Sequence, residues 1–69
     1  MFNSSVCSSY IIKYFDKQGY MCKAQTIRAS CSKTALVLGR TIVDSTPEYH
    51  SCIVFVGNLQ AGSPYFKTA

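Results

Sequence analysis

His50 and Cys52 are the two side chains whose types and spacing come nearest to chemistry. Two positions apart on a strand, they share a face, and an imidazole beside a thiol is the pairing that activates a cysteine nucleophile. Such a nucleophile also needs a group to orient its base and donors for an oxyanion. With one histidine and three acids in 69 residues, no such set can be assigned. The simpler reading is a small buried thiol beside a surface histidine at a strand entry, and a non-enzymatic protein is expected.

Metal and phosphate chemistry find equally little. A structural zinc site wants close pairs such as Cys-x-x-Cys. Here Cys7, Cys22, Cys31 and Cys52 stand 15, 9 and 21 positions apart, so no metal or cofactor is expected. Gly19, Gly39, Gly57 and Gly62 are scattered and form no phosphate-cradling loop. Four cysteines allow two disulfides in three connectivities. Residues 1 to 9 carry neither a basic start nor a long apolar run, so the expectation is a cytoplasmic protein with reduced, mostly buried thiols. The longest apolar run, Cys52 to Val56, is far short of the roughly 20 residues of a membrane span.

What remains is positive charge. Seven Lys or Arg against three acids give a net charge of +4, which favours an anionic partner, either nucleic acid or an acidic protein surface. Six of the cations invite interpretation: Lys13, Lys23, Arg28, Lys33, Arg40 and Lys67. For any one of them a solvated surface position is the default.

The elements that must position these groups form a small α+β domain spanning the chain, with residues 1 to 8 loosely held. Tyr10 to Phe15 and Tyr20 to Ala29 read as a strand pair, joined by Asp16-Lys17-Gln18-Gly19 with Gly19 left-handed. The implied register sets Tyr14 across from Cys22 and Lys13 across from Lys23. One face then carries Tyr10, Ile12, Tyr14, Cys22 and Ala24, assigned to the core. The other mixes Ile11, Phe15 and Met21 with the two lysines, a surface suited to phosphates and bases or to a protein. The same pattern also fits an edge hairpin defended by lysines against aggregation.

Ser30 to Asp44 is the only helical stretch. Cys31, Ala35, Leu36, Leu38, Gly39, Ile42 and Val43 gather on one side; Lys33, Val37, Arg40 and Asp44 stand opposite as a possible contact surface. Ser30 or Ser32 is the expected cap, Gly39 marks a close approach of another element, and Ser45-Thr46-Pro47 ends the helix. Tyr49 to Val56 follows as a strand apolar on both faces, hence interior or covered by a partner. Gly57-Asn58 opens a turn, and Tyr65-Phe66-Lys67 is the last strand. The order is ββαββ: an antiparallel sheet with one helix across it.

This order, with the opening strand Tyr10-Ile11-Ile12-Lys13, the run Ile27-Arg28-Ala29 leading to Ala35, and the strand Ile53-Val54-Phe55-Val56, resembles the very small anti-CRISPR proteins of phages and mobile elements. The type resembled acts on the type I-F surveillance complex. The resemblance implies a non-enzymatic inhibitor, working in the cytoplasm of an infected or lysogenic bacterium, that binds a backbone subunit of the crRNA-guided complex and blocks target DNA. It places the contact at Arg40 and Lys13. The face analysis adds Lys33, Lys23, Arg28 and Val37. Two alternatives stand beside it: a small basic nucleic-acid-binding protein and a homo-oligomeric assembly subunit.

Overall fold

The computed structural model describes residues 7–68. The expectation of a loosely held start bears mainly on residues 1–6, which lie outside the described residues; the first strand already begins at Ser8. The elements are β1 (Ser8–Phe15), β2 (Met21–Ala29), α1 (Ser32–Ser45), β3 (Ser51–Val56), β4 (Leu59–Gln60) and β5 (Tyr65–Phe66). They build an antiparallel sheet in the order β2-β1-β3-β4, with β5 also paired to β3. The helix packs across one side of it. The α+β class and near-ββαββ order expected from the sequence are therefore what the chain adopts.

The last strand differs in being split. Leu59–Gln60 pairs with the end of β3 and Tyr65–Phe66 with its start. Between them Gly62, at φ 81, and Pro64, which has no N–H to give a ladder, lead the chain off the sheet. The β3–β4 connection is the two-residue loop Gly57-Asn58, with Gly57 at φ 60 supplying the first, left-handed position of such a loop. β3 is thus interior, flanked by β1 on one side and by β4 and β5 on the other.

The β1–β2 turn forms as its residues dictate. Asp16 donates its N–H to the Tyr20 carbonyl (2.9 Å) and accepts from Gly19 N–H (3.0 Å), with Gly19 at φ 94. The Asp16 carboxylate also accepts the N–H groups of Gln18 and Tyr20, each at 2.9 Å. Beyond the turn, however, the expected register fails. Phe15 pairs with Met21, but Tyr14 pairs with Lys23 and Lys13 with Ala24, so Cys22 is an extra, bulged residue.

The reason lies further along β2. Side chains alternate between faces, so an unbulged register would turn Thr26 and Arg28 toward the helix and Ile27 outward. The bulge reverses this. Ile27 and Ala29 pack in the core, while Cys22 and Ala24, expected there, are exposed.

The helix meets the sheet along Ala35, Gly39 and Val43, all buried, over Ile12, Cys52 and Val54. Leu36 and Ile42 flank this line and are half-buried. Leu38, expected inside, is 40% exposed because it is rotated by about 100° from Gly39 and overshoots the contact. The N-cap is Cys31 rather than a serine, and no side-chain capping bond closes there. Thr46 is the C-cap, immediately before Pro47, as the sequence suggested.

Gly39 is where helix and sheet come closest. A β-carbon there would stand 2.9 Å from Cys52 Sγ and 3.2 Å from Ile12 Cγ2. Both neighbours are fully buried on paired strands and have little room to yield. Gly39→Ala should gain about 1 kcal/mol in helix propensity but lose about 1–3 kcal/mol to overpacking, a net destabilisation visible as a lower urea midpoint. Adding Cys52→Ala removes the nearest atom and should make the pair less unstable than the sum of the single changes. A Gly39→Ala variant that unfolds no earlier than the parent would sink this account of the close approach.

Candidate functional site

Among the described residues, one face of the sheet is covered by the helix and the other is bare. The strand registers set its side chains in rows. At the end near the β1–β2 turn stand Met21, Phe15, Ser51 and Phe66, in strand order β2, β1, β3 and β5. The next row is Ala24, Lys13 and Ile53, and the third is Thr26, Ile11, Phe55 and Gln60. Arg28 and Ser9 lie beyond. Rows are two residues, or about 7 Å, apart along the strands, and neighbouring strands about 4.8 Å apart.

Physically this face is aromatic, aliphatic and cationic. Phe66 is 59% exposed and Met21 55%, while Ile11, Phe15, Ile53 and Phe55 are half-buried by one another. Ser51, between Phe15 and Phe66, is only 6% exposed, so the two phenyl rings flank a low, small-residue floor. The Lys13 ammonium sits 4.5 Å from the centre of the Phe55 ring, held by the ring's negative π face. Arg28 is exposed at the far end of the same face.

None of the chain's three carboxylate side chains is there. Asp16 ties the β1–β2 turn, Asp44 accepts the Tyr65 hydroxyl at 2.7 Å, and Glu48 belongs to the α1–β3 loop. The charged side chains that project from the bare face, Lys13 and Arg28, are therefore both cations, while Asp16 and Glu48 stand near its turn end.

The structure separates the basic residues the sequence had grouped. Lys13 and Lys23 are not opposite one another: the bulge puts Lys13 on the bare face and Lys23 across from Tyr14 on the helix side, where it is exposed. Lys33, Val37 and Arg40 are exposed along the outer side of the helix, as expected. Arg40 is partly engaged, its guanidinium 5.2 Å from the Tyr65 ring. Lys67 donates to the Thr46 carbonyl at 3.1 Å. Helix and hairpin do not assemble the six cations into one patch. Sequence reasoning misses Phe66 and the union of Phe15 with Phe55 as a site: alternation sets Phe15 and Phe55 each on a face of its own strand, Phe66 receives a strand but no face, and only the register joins the three.

The His50 and Cys52 pairing is not built. Cys52 is fully buried between Tyr14 and Tyr65 beneath Gly39, and desolvation there pushes its thiol pKa up to about 11. A thiol so placed is neither ionised nor reachable. Tyr14, beside it, is raised to about 12 by the same desolvation; it stacks on Tyr49 at 4.9 Å and donates to Gln25 Oε1 at 2.8 Å. His50 instead lines an open cleft of about 260 Å³ with Lys17, Pro47, Glu48, Tyr49 and Lys67, at the sheet end near the turn. Among the described residues no three side chains of metal-binding type cluster. No helix among the described residues is long and apolar enough to cross a membrane.

All four cysteines are free thiols, yet only Cys52 is buried, which corrects the expectation of mostly buried thiols. They differ in reactivity. The Thr34 hydroxyl, 3.4 Å from Cys31 Sγ, lowers the Cys31 pKa, with the Thr34 and Lys33 amides of the first helical turn adding to the effect. Cys22 is shifted upward by partial desolvation, with Asp16 and Glu48 contributing. Since the thiolate is the nucleophile, iodoacetamide at pH 8 should label Cys31 before Cys22, and Cys52 only after unfolding. Peptide mass mapping over time reads this order; native labelling of Cys52 as fast as Cys22 would contradict its place in the core. Compared with protein-family models, curated proteins and solved structures, the chain matches none.

Proposed function

We propose that this chain is a non-enzymatic binding protein whose contact surface is the bare sheet face and whose partner is anionic. The observation that carries this reading is the charge of that face: Lys13 and Arg28 project among aromatic and aliphatic side chains, and every carboxylate side chain lies elsewhere. A cation set in a low-dielectric apolar surface attracts an anion more strongly than one surrounded by water. The same charge disfavours a second copy of the chain as occupant. A twofold interface presents a patch to itself, and here it would bring cations together with no acid to offset them.

The simplest anionic probe is a fluorescein-labelled abasic deoxyribose-phosphate 12-mer, followed by anisotropy as salt is raised. Each phosphate neutralised on a single strand steepens the log–log salt slope by about 0.7, so Lys13→Ala with Arg28→Ala should flatten it by about 1.4. Lys33→Ala with Arg40→Ala serves as a control and should leave the slope alone. Binding that ignores salt, or that the first pair of changes leaves untouched, overturns the reading.

A second reading follows the resemblance to anti-CRISPR inhibitors, and the observation favouring it is the exposed stripe of Lys33, Val37 and Arg40 on the outer helix. On that reading the helix docks on a backbone subunit of a crRNA-guided surveillance complex. Because a groove that takes DNA is itself basic, the contact would rest on Val37, on hydrogen bonds and on local acids of the partner. Lys33→Glu with Arg40→Glu should then relieve inhibition of target-DNA binding at least tenfold in a mobility-shift assay, with an unchanged circular dichroism spectrum. Undiminished inhibition by this variant removes the helix from the contact.

A further inference from the structure

We infer that the bare sheet face binds single-stranded nucleic acid, with bases stacked on Phe55 and Phe66 and phosphates held by Lys13 and Arg28. The inference rests on the anionic-partner reading and adds the chemical class of the partner. An anion alone would be served by cations, and three phenyl rings among them need a further cause. Nucleic acid single strands supply it, because each nucleotide carries one negative charge and one flat π surface.

The spacing fits this use. The Phe55 row and the Phe66 row are separated by two row intervals, about 13 Å along the sheet, with Lys13 in the row between them. A single strand running over β3 would meet Phe66 from the β5 side, then Ile53 with Lys13 beside it on β1, then Phe55. Arg28 lies one row beyond Phe55, displaced sideways by two strands on β2, within reach of a phosphate on the Lys13 side of that path.

Each group is also in a state that a single strand can exploit. Phe66 is the most exposed of the three rings, and the low floor at Ser51 leaves space between it and Phe15. At Phe55 the ring is occupied by the Lys13 ammonium. A cation–π contact at a partly exposed site is worth only about 0.5–1 kcal/mol, less than the roughly 1–3 kcal/mol of a base stacked on an aromatic. A base can therefore take the ring while the long lysine stem swings its charge to the adjacent phosphate. A duplex is disfavoured, since its bases are stacked on one another and offer no free faces to the surface rings.

An acidic peptide shares the charge but lacks the repeated π surface, and this separates it in the test. Anisotropy is measured with labelled dT12, rU12, the abasic 12-mer, a duplex 12-mer and a labelled polyglutamate peptide at fixed salt. Base-bearing single strands should bind at least tenfold more tightly than the abasic strand, and the duplex weakly. Phe66→Leu keeps the apolar bulk and removes the π face. It should cost dT12 about five- to a hundredfold in affinity and the abasic strand nothing. Phe55→Leu should act likewise, and 2-aminopurine placed within the strand should be quenched on binding.

Equal binding of dT12 and the abasic strand, with no effect of Phe66→Leu, overturns the inference while leaving the anionic-partner reading in place. Binding of polyglutamate as tight as that of dT12 overturns it in favour of an acidic protein. If none of the polyanions binds, the underlying reading fails as well. A dimer in light scattering whose formation is lost in Phe66→Leu would assign the face to a second copy instead.

Discussion

The contact of Gly39 with Cys52 and Ile12 is the constraint on which the rest of the structure depends. Small residues at Ala35 and Gly39 let the helix backbone sit low on the sheet, and the side chains that fill the space, Ile12, Val43, Cys52 and Val54, are fully or nearly fully buried there. The described residues hold one helix, and it covers one face. Covering that face decides that the other stays open, so the bare surface follows from the same packing that holds the domain together.

The Cys22 bulge then sets what the open surface contains. Without the extra residue, β2 would send Arg28 and Thr26 under the helix, where a charged group costs far more than it can regain. With it, Arg28 joins Lys13 outside and Ile27 joins the core. One unpaired residue beside a turn thereby fixes both the hydrophobic seam and the electrostatic character of the open surface. Lys23 pays the complementary consequence: it lies on the helix side but far enough toward the turn to remain exposed.

How far the sequence reveals this can be traced through particular residues. The Asp16–Gly19 turn, the helix ending before Pro47, the interior third strand and the close approach at Gly39 are all legible, because each is governed by local chemistry or by periodicity. Tyr10, Ile12 and Tyr14 are correctly assigned to the core for the same reason. The bulge is not legible: its cause is the burial of Ile27 and Ala29 five and seven residues downstream of Cys22 and beneath a helix, a tertiary demand that overrides the local count. Leu38 fails because an apolar side chain at the margin of a helical face is decided by the width of the contact, not by its angle alone. For the site, strand alternation already sets Lys13 beside Ile11, Phe15 and Met21, whereas Arg28 is only one of six cations in the sequence. The addition of Phe55, Phe66 and Arg28 to that face emerges only once the strands are in register.

The open face sets apolar exposure against charge. A sheet surface made wholly of Ile, Phe and Met would recruit any apolar surface, including other copies of itself. Lys13, set in the middle row with its ammonium over Phe55, interrupts the apolar surface and repels a like-charged copy, yet its charge is not locked in an ion pair with Asp or Glu of that face. If the open face takes an anion with a π surface, as proposed, the contact that covers the ring is the one most readily exchanged for it. A ligand that binds the folded sheet and not the unfolded chain would stabilise the domain by about 2.7 kcal/mol at a hundredfold excess over Kd, a large share for a domain of this size. The proposed recognition and the stability of the fold would then draw on the same surface.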